Sequence, residues 1–267
     1  MIHPHTYIDP RATIAANVKI DPFTVIHGNV SIGEGTWIGS NVTIMENTHI
    51  GKNCRIFPGA VLGAVPQDLK FDNENTTVEI GDRTTIREFV TINRGTKDKW
   101  KTVVGTDCLI MAYCHIAHDC NVGNHVIMSN SIQMAGHVKV GDFTVLGGTS
   151  AVHQFVQIGS YAFVAGGSLI SKDVPPFVKA GRQPLSYAGV NSVGLKRRGF
   201  TTFQVNNILE MYRIIFNKGI NTTQALEHLE EEFAVSDERD EIINFVRESG
   251  RGIIKKFTKI NGDADNA

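Results

Sequence analysis

Every sixth residue of this chain is aliphatic or Met over most of its first 170 positions. Hydrophobic residues make up 42% of the composition, so independent draws would fill all of these positions with apolar residues with a probability on the order of one in a billion. The 25 anchor positions are Ile8, Ile14, Ile20, Ile26, Ile32, Ile38, Ile44, Ile50, Ile56, Leu62, Ile80, Ile86, Ile92, Val104, Ile110, Ile116, Val122, Met128, Met134, Val140, Leu146, Val152, Ile158, Val164 and Ile170.

A second periodic signal accompanies the anchors. The residue four positions after an anchor is mostly small or β-branched, as in Thr36, Val42, Ala60 and Ser150, and Gly, Asn or Asp often follows an anchor closely. A period of six matches neither an α-helix, at 3.6 residues per turn, nor a simple strand with a period of two. It suits short strands joined by tight turns, with the anchor and the small residue both facing inward.

The same pattern is typical of the hexapeptide-repeat proteins, which the chain resembles over roughly its first two thirds. The resemblance implies a mainly β protein in which residues 1–190 wind as a left-handed parallel β-helix. Such a helix is a triangular prism with three hexapeptides per 18-residue coil, and it assembles as a homotrimer. Asp68, Glu74 and Asp98 stand where anchors are due. We therefore expect loops near 63–79 and 93–103 to leave the prism, and loops on rigid scaffolds often carry function.

The periodicity changes after about residue 190. The segment TTFQVNNILEMYRIIFNKG has apolar residues at helical spacing, with Thr201 or Thr202 as its cap. TTQALEHLEEEF and SDERDEIINFVRESG follow the same pattern, and Ser236 is the expected cap of the last helix. Residues 191–267 are thus predicted to form a small α-helical C-terminal domain that ends in a disordered NGDADNA tail.

Composition argues against several classes of partner. The formal net charge is -1, so nothing in the bulk charge favours nucleic acid or a membrane surface. The start, MIHPHTYIDP, lacks the features of a secretion signal, and no apolar run is long enough for membrane insertion. We therefore expect a cytoplasmic protein. Four Cys in such a chain argue against a disulfide framework.

The segment CHIAHDC places two thiols, two imidazoles and a carboxylate close together, as a metal site would. The repeat separates them. Each Cys of the chain lies four positions after an anchor, so we expect the thiols to pack as small core residues, whereas His115, His118 and Asp119 occupy outward positions. The thiols are Cys54, Cys108, Cys114 and Cys120.

Histidines also mark the next two coils of the same prism. His118, His137 and His153 follow anchors that are 18 residues apart, so they should form a ladder with a spacing of about 4.8 Å per coil. A solvated surface patch does not explain this alignment. A zinc site resembling that of the gamma-class carbonic anhydrase family is chemically possible, although the histidine spacing differs. Besides a surface patch and a zinc site, the histidines could include a general base, because neutral imidazole accepts a proton near pH 7 and Asp119 could fix its tautomer.

Longer motifs indicate one family. HIAHDC, AGHV, AVHQF, DVPPF and GLKRRGF, with PQDLK in the first loop, resemble the UDP-N-acetylglucosamine acyltransferases that begin lipid A synthesis. The resemblance covers the whole chain. It implies transfer of a 3-hydroxyacyl group from acyl carrier protein to the glucosamine 3-hydroxyl of UDP-N-acetylglucosamine, with no metal or redox cofactor.

The same resemblance implies roles for individual residues. His118 is the general base, Asp119 orients it, and the N–H of Gly136 stabilises the developing oxyanion. Gly166 borders the groove for the acyl tail, where the absence of a side chain leaves room for a long chain. The other implied substrate contacts are His115, His137, His153 and Gln154 in the sugar and acyl pocket, and Gln67, Asp68, Lys70, Asn191 and Arg197 around the nucleotide sugar.

Two related enzymes stay as alternatives. A UDP-sugar N-acyltransferase of the same pathway would carry an additional N-terminal uridine-binding domain, but the repeat here already begins at Ile8. A zinc-dependent enzyme of the carbonic anhydrase type would hold stoichiometric zinc on its histidines. One departure from the family pattern is Val193, where an acidic residue is common, so the sequence leaves open whether the acceptor carries oxygen or nitrogen at position 3.

Overall fold

The computed structural model describes residues 1–217 and 219–257, so the expected disordered tail lies outside the described residues. Most of the strands are only two residues long and end on an anchor. The strands are β1 (Tyr7–Ile8), β2 (Thr13–Ile14), β3 (Lys19–Ile20), β4 (Val25–Ile26), β5 (Ser31–Ile32), β6 (Trp37–Ile38), β7 (Thr43–Ile44), β8 (Thr48–Ile50), β9 (Arg55–Ile56), β10 (Val61–Ala64), β11 (Thr77–Ile80), β12 (Thr85–Ile86), β13 (Thr91–Asn93), β14 (Lys101–Val104), β15 (Leu109–Ile110), β16 (His115–Ile116), β17 (Asn121–Val122), β18 (Ile127–Met128), β19 (Gln133–Met134), β20 (Lys139–Val140), β21 (Val145–Leu146), β22 (Ala151–Val152), β23 (Gln157–Ile158), β24 (Phe163–Val164), β25 (Leu169–Ile170), β26 (Val178–Gly181), β27 (Ser186–Val190) and β28 (Lys255–Lys256).

Three parallel sheets form the sides of a triangular prism. Face 1 has the order β1-β4-β7-β10-β13-β16-β19-β22-β25, and face 2 has the order β2-β5-β8-β11-β14-β17-β20-β23. Face 3 runs from β3 through β6, β9, β12, β15, β18, β21 and β24 to β26. Two further strands extend it: β27, which is antiparallel to β26, and β28, which is parallel to β27. Consecutive strands visit the three faces in turn, so neighbours within a face are one coil apart. The predicted left-handed parallel β-helix is confirmed.

The interior of the prism is filled by the two inward positions of each repeat. The anchors from Ile20 onward are buried, and the Cys residues at the fourth position are at most 2% exposed. Each thiol donates to a carbonyl of a neighbouring coil, as Cys120 Sγ does to the oxygen of Ala135 at 3.2 Å. Burial raises the pKa of Cys120 to about 12, so its thiol is not a nucleophile near neutral pH. The predicted packing of these thiols is confirmed.

The prism corners have a repeated backbone conformation. The third residue after nearly every anchor in the regular coils has a positive φ, whether it is Asn or a bulky aromatic residue. This left-handed conformation costs roughly 1–2 kcal/mol for residues other than Gly, and less for Asn and Asp. Aromatic corner residues stack on those of adjacent coils, as Phe89 does on Tyr113 with ring centroids 5.3 Å apart, and this contact offsets part of the cost.

Two loops leave the prism where the anchors are interrupted. Loop 1 spans residues 65–76 and loop 2 spans 94–100, so both are shorter than the predicted ranges. The difference arises because Val78 and Thr102 are buried and extend β11 and β14 beyond the usual two residues. Both loops emerge between face 1 and face 2, at the ridge that we call corner 1–2.

Four helices follow the β-helix within the described residues. They are α1 (Ser192–Arg197), α2 (Thr202–Asn217), α3 (Thr222–Glu232) and α4 (Asp237–Arg247). The last three match the predicted helices, and Ser236 caps α4 by accepting a hydrogen bond from the amide of Arg239. The one-and-a-half-turn α1 and the return of β28 to face 3 were not predicted. In the described part of the chain, no helix combines the length and the apolar character that crossing a bilayer requires.

Buried polar contacts fix the helices to the last coils of the prism. The hydroxyl of the fully buried Tyr212 donates to the carbonyl of Pro176 at 2.6 Å. Asp173, which is also fully buried, accepts a hydrogen bond from the Ser249 hydroxyl at 2.6 Å. At the end of α1, the guanidinium of Arg198 lies 4.8 Å from the ring centroid of Phe143 on the prism. The helical segment therefore has a defined position on the β-helix.

Candidate active site

A histidine and a carboxylate are paired at corner 1–2. His118 and Asp119 follow strand β16, are 8% and 5% exposed, and are joined by a 2.8 Å contact between Nδ1 and Oδ2. The carboxylate partner assigns the ring proton to Nδ1. His118 Nε2 is then left with its lone pair free to accept a proton, as a general base requires.

Loop 2 holds the carboxylate of this pair in place. Thr96 donates to Asp119 twice, from its amide to Oδ1 at 2.8 Å and from its hydroxyl to Oδ2 at 2.7 Å. The amide of Lys99 adds a longer contact to Oδ1, and the amide of Asp119 donates to the buried Thr102 hydroxyl at 2.8 Å. Asp119 is therefore fixed by both its side chain and its backbone.

These contacts keep Asp119 ionised. Burial alone would raise the pKa of its carboxyl group. The hydrogen bonds from His118 and Thr96, together with the field of His137, outweigh burial and lower the pKa to about 2. A carboxylate that is charged throughout the physiological range stabilises an imidazolium on His118 whenever the ring takes up a proton.

Gly136 lies against the imidazole from the next coil. A Cβ atom at this position would lie 2.7 Å from both Nε2 and Cε1 of His118, so the site needs a residue without a side chain here. Among the described residues, the N–H of Gly136 has no hydrogen-bond acceptor. A free amide on the residue that faces the basic nitrogen is suited to a developing negative charge.

His137 occupies the next corner above the pair. Its ring is perpendicular to that of His118, with centroids 5.1 Å apart, and its Nε2 lies 3.6 Å from Asp119 Oδ2. On its other side, Nδ1 lies 3.2 Å from a carboxylate oxygen of Asp98 in loop 2. Phe155 of the following coil stacks on His137 at 4.6 Å. His137 thus lies between two carboxylates and against an aromatic ring, although its buried Nδ1 makes no hydrogen bond to a described residue.

The other residues predicted to line the pocket differ in how exposed they are. His115 lies on face 1, with Nδ1 2.8 Å from the Thr91 hydroxyl, and burial followed by the charge of His118 lowers its pKa. His153 is exposed at the corner two coils beyond His118, and Gln154 beside it is half-buried. No contact of the described residues joins the ring of His153 to His118 or His137, because Phe155 occupies the position over His137.

The predicted nucleotide residues Gln67, Asp68 and Lys70 lie in loop 1, which leaves corner 1–2 two coils before the His118–Asp119 pair, called the dyad below. Gln67 and Lys70 are exposed, and Leu69 between them is fully exposed. Asp68 forms a turn with its neighbours, since Oδ1 accepts from the amide of Lys70 and its carbonyl accepts from the amide of Phe71, both at 3.0 Å. The dyad and loop 1 therefore share one ridge of the molecule.

Three predicted residues lie on other ridges. Gly166 follows β24 at the ridge between faces 3 and 1, where its Cα hydrogen points near the carbonyl of Gly148. Asn191 caps α1 and donates to the carbonyl of Tyr161 at 2.9 Å, and Arg197 is exposed at the end of α1. A single protomer does not bring these residues to its own dyad.

His118, Asp119 and His137 also form the one group of possible metal ligands found among the described residues, with ligand atoms within 4.8 Å of one another. Two of these atoms already have partners. His118 Nδ1 is bonded to Asp119 Oδ2, and that oxygen also accepts from Thr96. The donor set therefore fits a hydrogen-bonded base better than a metal site, which would require this network to break.

Sequence reasoning missed the residues that support the dyad. Thr96, Asp98 and Thr102 were not identified, although loop 2 was expected to leave the prism and carry function. Thr96 and Asp98 lie in loop 2, where no period indicates which side chain faces the site. Thr102 lies in β14, four positions after the missing anchor at 98, so the repeat accounts for its burial but not for its contact with Asp119. Phe155 carried a usable signal, because it lies three positions after an anchor, as Asp119 and His137 do.

Comparisons with known proteins show which family the chain resembles. Residues 173–254 match the family model of domain 2 of UDP N-acetylglucosamine O-acyltransferase, and residues 11–45 and 29–64 match the bacterial transferase hexapeptide model. An acyl-[acyl-carrier-protein]--UDP-N-acetylglucosamine O-acyltransferase of Burkholderia lata is 49% identical, over 95% of this chain and 99% of the relative. The enzyme of the same description from Xylella fastidiosa is 47% identical, over 96% of this chain and 98% of the relative.

Solved structures of this description have the same fold. The UDP-N-acetylglucosamine acyltransferase of Bacteroides fragilis superimposes with a TM-score of 0.94 at 47% identity, covering 96% of this chain and all of that one. The Francisella novicida enzyme gives a TM-score of 0.93 at 38% identity, covering 96% of this chain and 94% of that one. Identity near one half over almost the whole length assigns this chain to the family of acyl-[acyl-carrier-protein]--UDP-N-acetylglucosamine O-acyltransferases.

Proposed function

We propose that this protein transfers a 3-hydroxyacyl chain from acyl carrier protein to the 3-hydroxyl of UDP-N-acetylglucosamine, the first step of lipid A synthesis, with His118 as general base. The observation that carries the proposal is the buried His118–Asp119 pair, whose free Nε2 faces Gly136, a residue with an unbonded N–H. Membership of the family supports the substrates, because both are named in the description of the relatives.

In the first step, the sugar 3-hydroxyl attacks the thioester carbonyl carbon. His118 Nε2 accepts the hydroxyl proton as the new C–O bond forms, and the ionised Asp119 stabilises the resulting imidazolium. The electron pair of the carbonyl bond moves to its oxygen, where the N–H of Gly136 is placed to donate a hydrogen bond. The product of this step is a tetrahedral intermediate.

In the second step, the intermediate collapses to the ester. The C–S bond breaks, the carbonyl forms again, and the thiol of the carrier protein leaves with the proton that His118 took up. The imidazole returns to its neutral form, so one residue serves first as base and then as acid. No redox change takes place, and every group is supplied by the chain or by its two substrates.

The remaining residues are proposed to bind the substrates. Gln67, Asp68 and Lys70 of loop 1 would contact the nucleotide sugar, and His115, His137, His153 and Gln154 would line the pocket. Gly166 would border the acyl tail. Since Gly166, Asn191 and Arg197 lie on other ridges, we propose a homotrimer in which they approach the dyad of an adjacent protomer. Cytoplasmic location is proposed with it, because acyl carrier protein is the acyl donor.

Mass spectrometry of products tests the proposal. The protein is incubated with UDP-N-acetylglucosamine and 3-hydroxyacyl or plain acyl thioesters of carrier protein of increasing chain length. We expect a single O-acylated UDP-sugar with one preferred length. Absence of ester product with every donor would refute the proposal, and amide product from a 3-amino analogue alone would support the N-acyltransferase that Val193 leaves open.

Substitution of His118 tests its role. We expect His118→Ala to lower kcat by about 100- to 10,000-fold, because the general base is lost. Cys120→Ser is the matched control: it changes a buried thiol in the same turn and should leave most of the activity. Full activity of His118→Ala, or a comparable loss in a folded Cys120→Ser protein, would contradict the assignment.

A further inference from the structure

We propose that Arg94 is a positioning residue for the nucleotide sugar: it holds loop 1 through the ring of Phe71, while the same short segment holds the catalytic carboxylate. The segment consists of Asn93, Arg94, Gly95 and Thr96, at the end of β13 and the start of loop 2. The inference rests on the proposed function and adds a physical connection between substrate binding and the dyad.

The first half of the segment fixes the point at which loop 1 begins. The side-chain amide of the buried Asn93 donates to the carbonyl of Val65 at 3.1 Å, and the backbone amide of Arg94 donates to that of Ala64 at 2.9 Å. Backbone carbonyls that are held in this way cannot shift without losing both bonds. The start of loop 1 is thus tied to the end of β13.

The side chain of Arg94 extends this contact into the middle of loop 1. Its guanidinium carbon lies 5.4 Å from the ring centroid of Phe71, within the range of a cation–π interaction. Its Nε is buried and has no hydrogen-bond acceptor among the described residues. Arg94 as a whole is half-buried, and the face of the Phe71 ring is the contact that its guanidinium makes in loop 1.

Phe71 transmits this contact to the residues proposed to bind the nucleotide. Its amide donates to the carbonyl of Asp68 at 3.0 Å, and Asp68 also accepts from the amide of Lys70. Asp68, Lys70 and Phe71 therefore belong to one turn, whose position depends on the ring over Arg94. Loss of the ring should free this turn and weaken nucleotide binding.

The second half of the segment reaches the dyad. Thr96 makes two hydrogen bonds to Asp119, and Gly95 between Arg94 and Thr96 is closely packed, since a Cβ there would lie 2.3 Å from the amide nitrogen of Lys101. The four consecutive residues 93–96 thus contact loop 1 at one end and the carboxylate of Asp119 at the other. Substitutions at the first end should change KM, and substitutions at the second end should change kcat.

Steady-state kinetics and calorimetric titration with UDP-N-acetylglucosamine test this inference. We expect Phe71→Leu and Arg94→Lys to raise KM and the dissociation constant for UDP-N-acetylglucosamine about 3- to 30-fold, the range of one cation–π contact, with kcat within twofold of the wild type. Phe71→Tyr keeps the aromatic ring, so KM and the dissociation constant should stay close to their wild-type values. Thr96→Val should do the opposite, lowering kcat while KM changes little.

Arg55 provides a matched control. Its guanidinium lies over Trp37 and Phe57 at 5.8 and 5.5 Å, on face 3 and away from corner 1–2, so Arg55→Lys should change neither KM nor kcat. Unchanged nucleotide binding in Phe71→Leu would overturn the inference, as would equal losses in kcat and binding that Phe71→Tyr does not rescue. Failure of the proposed function is a separate result, because the wild-type protein would then form no ester.

Discussion

His118 and Asp119 are neighbours in the chain, and neighbouring side chains of a regular strand point to opposite sides. They pair here because they lie in a corner turn, where Asp119 has a φ of 61°. His137 has the same conformation one coil later, with a φ of 62°. The chemistry of the site therefore depends on a backbone conformation that recurs at nearly every corner and is not special to this one.

The low pKa of Asp119 predicts a defined dependence of stability on pH. The folded-state value is about 2 and the ordinary value 3.8, so the unfolded chain binds this proton first as the pH falls. The contribution of Asp119 is therefore complete above about pH 5 and is lost as the pH falls toward 2. Between pH 6 and pH 3 the loss is about 1 kcal/mol.

Urea unfolding at pH 6 and pH 3 measures this effect. We expect the wild type to lose about 1 kcal/mol more unfolding free energy than Asp119→Asn over this interval, because the amide does not titrate. At pH 6 the variant should be the less stable protein, since one hydrogen-bond acceptor is lost. An identical pH dependence in both proteins would show that Asp119 is not the group with the lowered pKa.

How much of the site can be predicted depends on whether a residue lies in the repeat. The frame of six assigned Cys114 and Cys120 to the core, and their burial confirms that assignment. It assigned His118 to the outside of the prism, but this residue is only 8% exposed. Thr96 could not be found in this way, because loop 2 lies outside the six-residue repeat. The contact of Thr96 with Asp119 joins residues that are 23 positions apart in the sequence. The pairing of His137 with Asp98 was missed for the same reason.

The strands and the helices are specified by different features of the sequence. Two-residue strands are too short to be stable alone, so each is held by pairing with the coils on either side and by its buried anchor. The helices instead follow the helical spacing of their apolar residues, with caps such as Ser236, and these signals located three of the four described helices. The exception is α1, whose six residues include Gly194, too short and too poor in helix formers to give a periodic signal.

The cap of α4 gives a prediction about one of these elements. The Ser236 hydroxyl accepts from the amide of Arg239, so Ser236→Ala should cost about 1 kcal/mol and lower Tm by about 2–4 °C. Ser236→Asp retains an acceptor at the helix N-terminus and should melt near the wild type. Differential scanning calorimetry compares the three. Equal Tm values for Ala and Ser would mean that water replaces the cap at no cost.

At the level of the whole molecule, the proposed substrate residues are divided among the three ridges of the prism. The dyad and loop 1 share corner 1–2, whereas Asn191 and Arg197 follow the end of face 3. A site that used all of these residues would need more than one protomer. Assembly around a threefold axis, which the resemblance to hexapeptide-repeat proteins implies, would place one ridge of each protomer beside a different ridge of the next.

Mixed assemblies test this arrangement. His118→Ala removes the base and Arg197→Glu reverses an exposed charge, so each variant alone should have low activity. If a site takes His118 from one protomer and Arg197 from its neighbour, a trimer that contains both kinds of chain has about one third of its sites with both residues intact. Co-expressed, differently tagged chains purified through both tags should thus regain measurable activity. No recovery would place both residues in the same protomer's site.

The lengths of the two loops suggest how such a site arises. Partner residues in adjacent coils are normally 18 apart, as in Val61 and Thr43, but they are 30 apart across loop 1 and 24 apart across loop 2. The additions are 30 − 18 = 12 and 24 − 18 = 6 residues, or two hexapeptides and one. Duplicating a repeat in the gene lengthens the prism if the copy winds. If the copy does not wind, it forms a loop beside an existing corner, and the coils that follow keep their register. Such a loop can acquire residues such as Lys70 or Thr96.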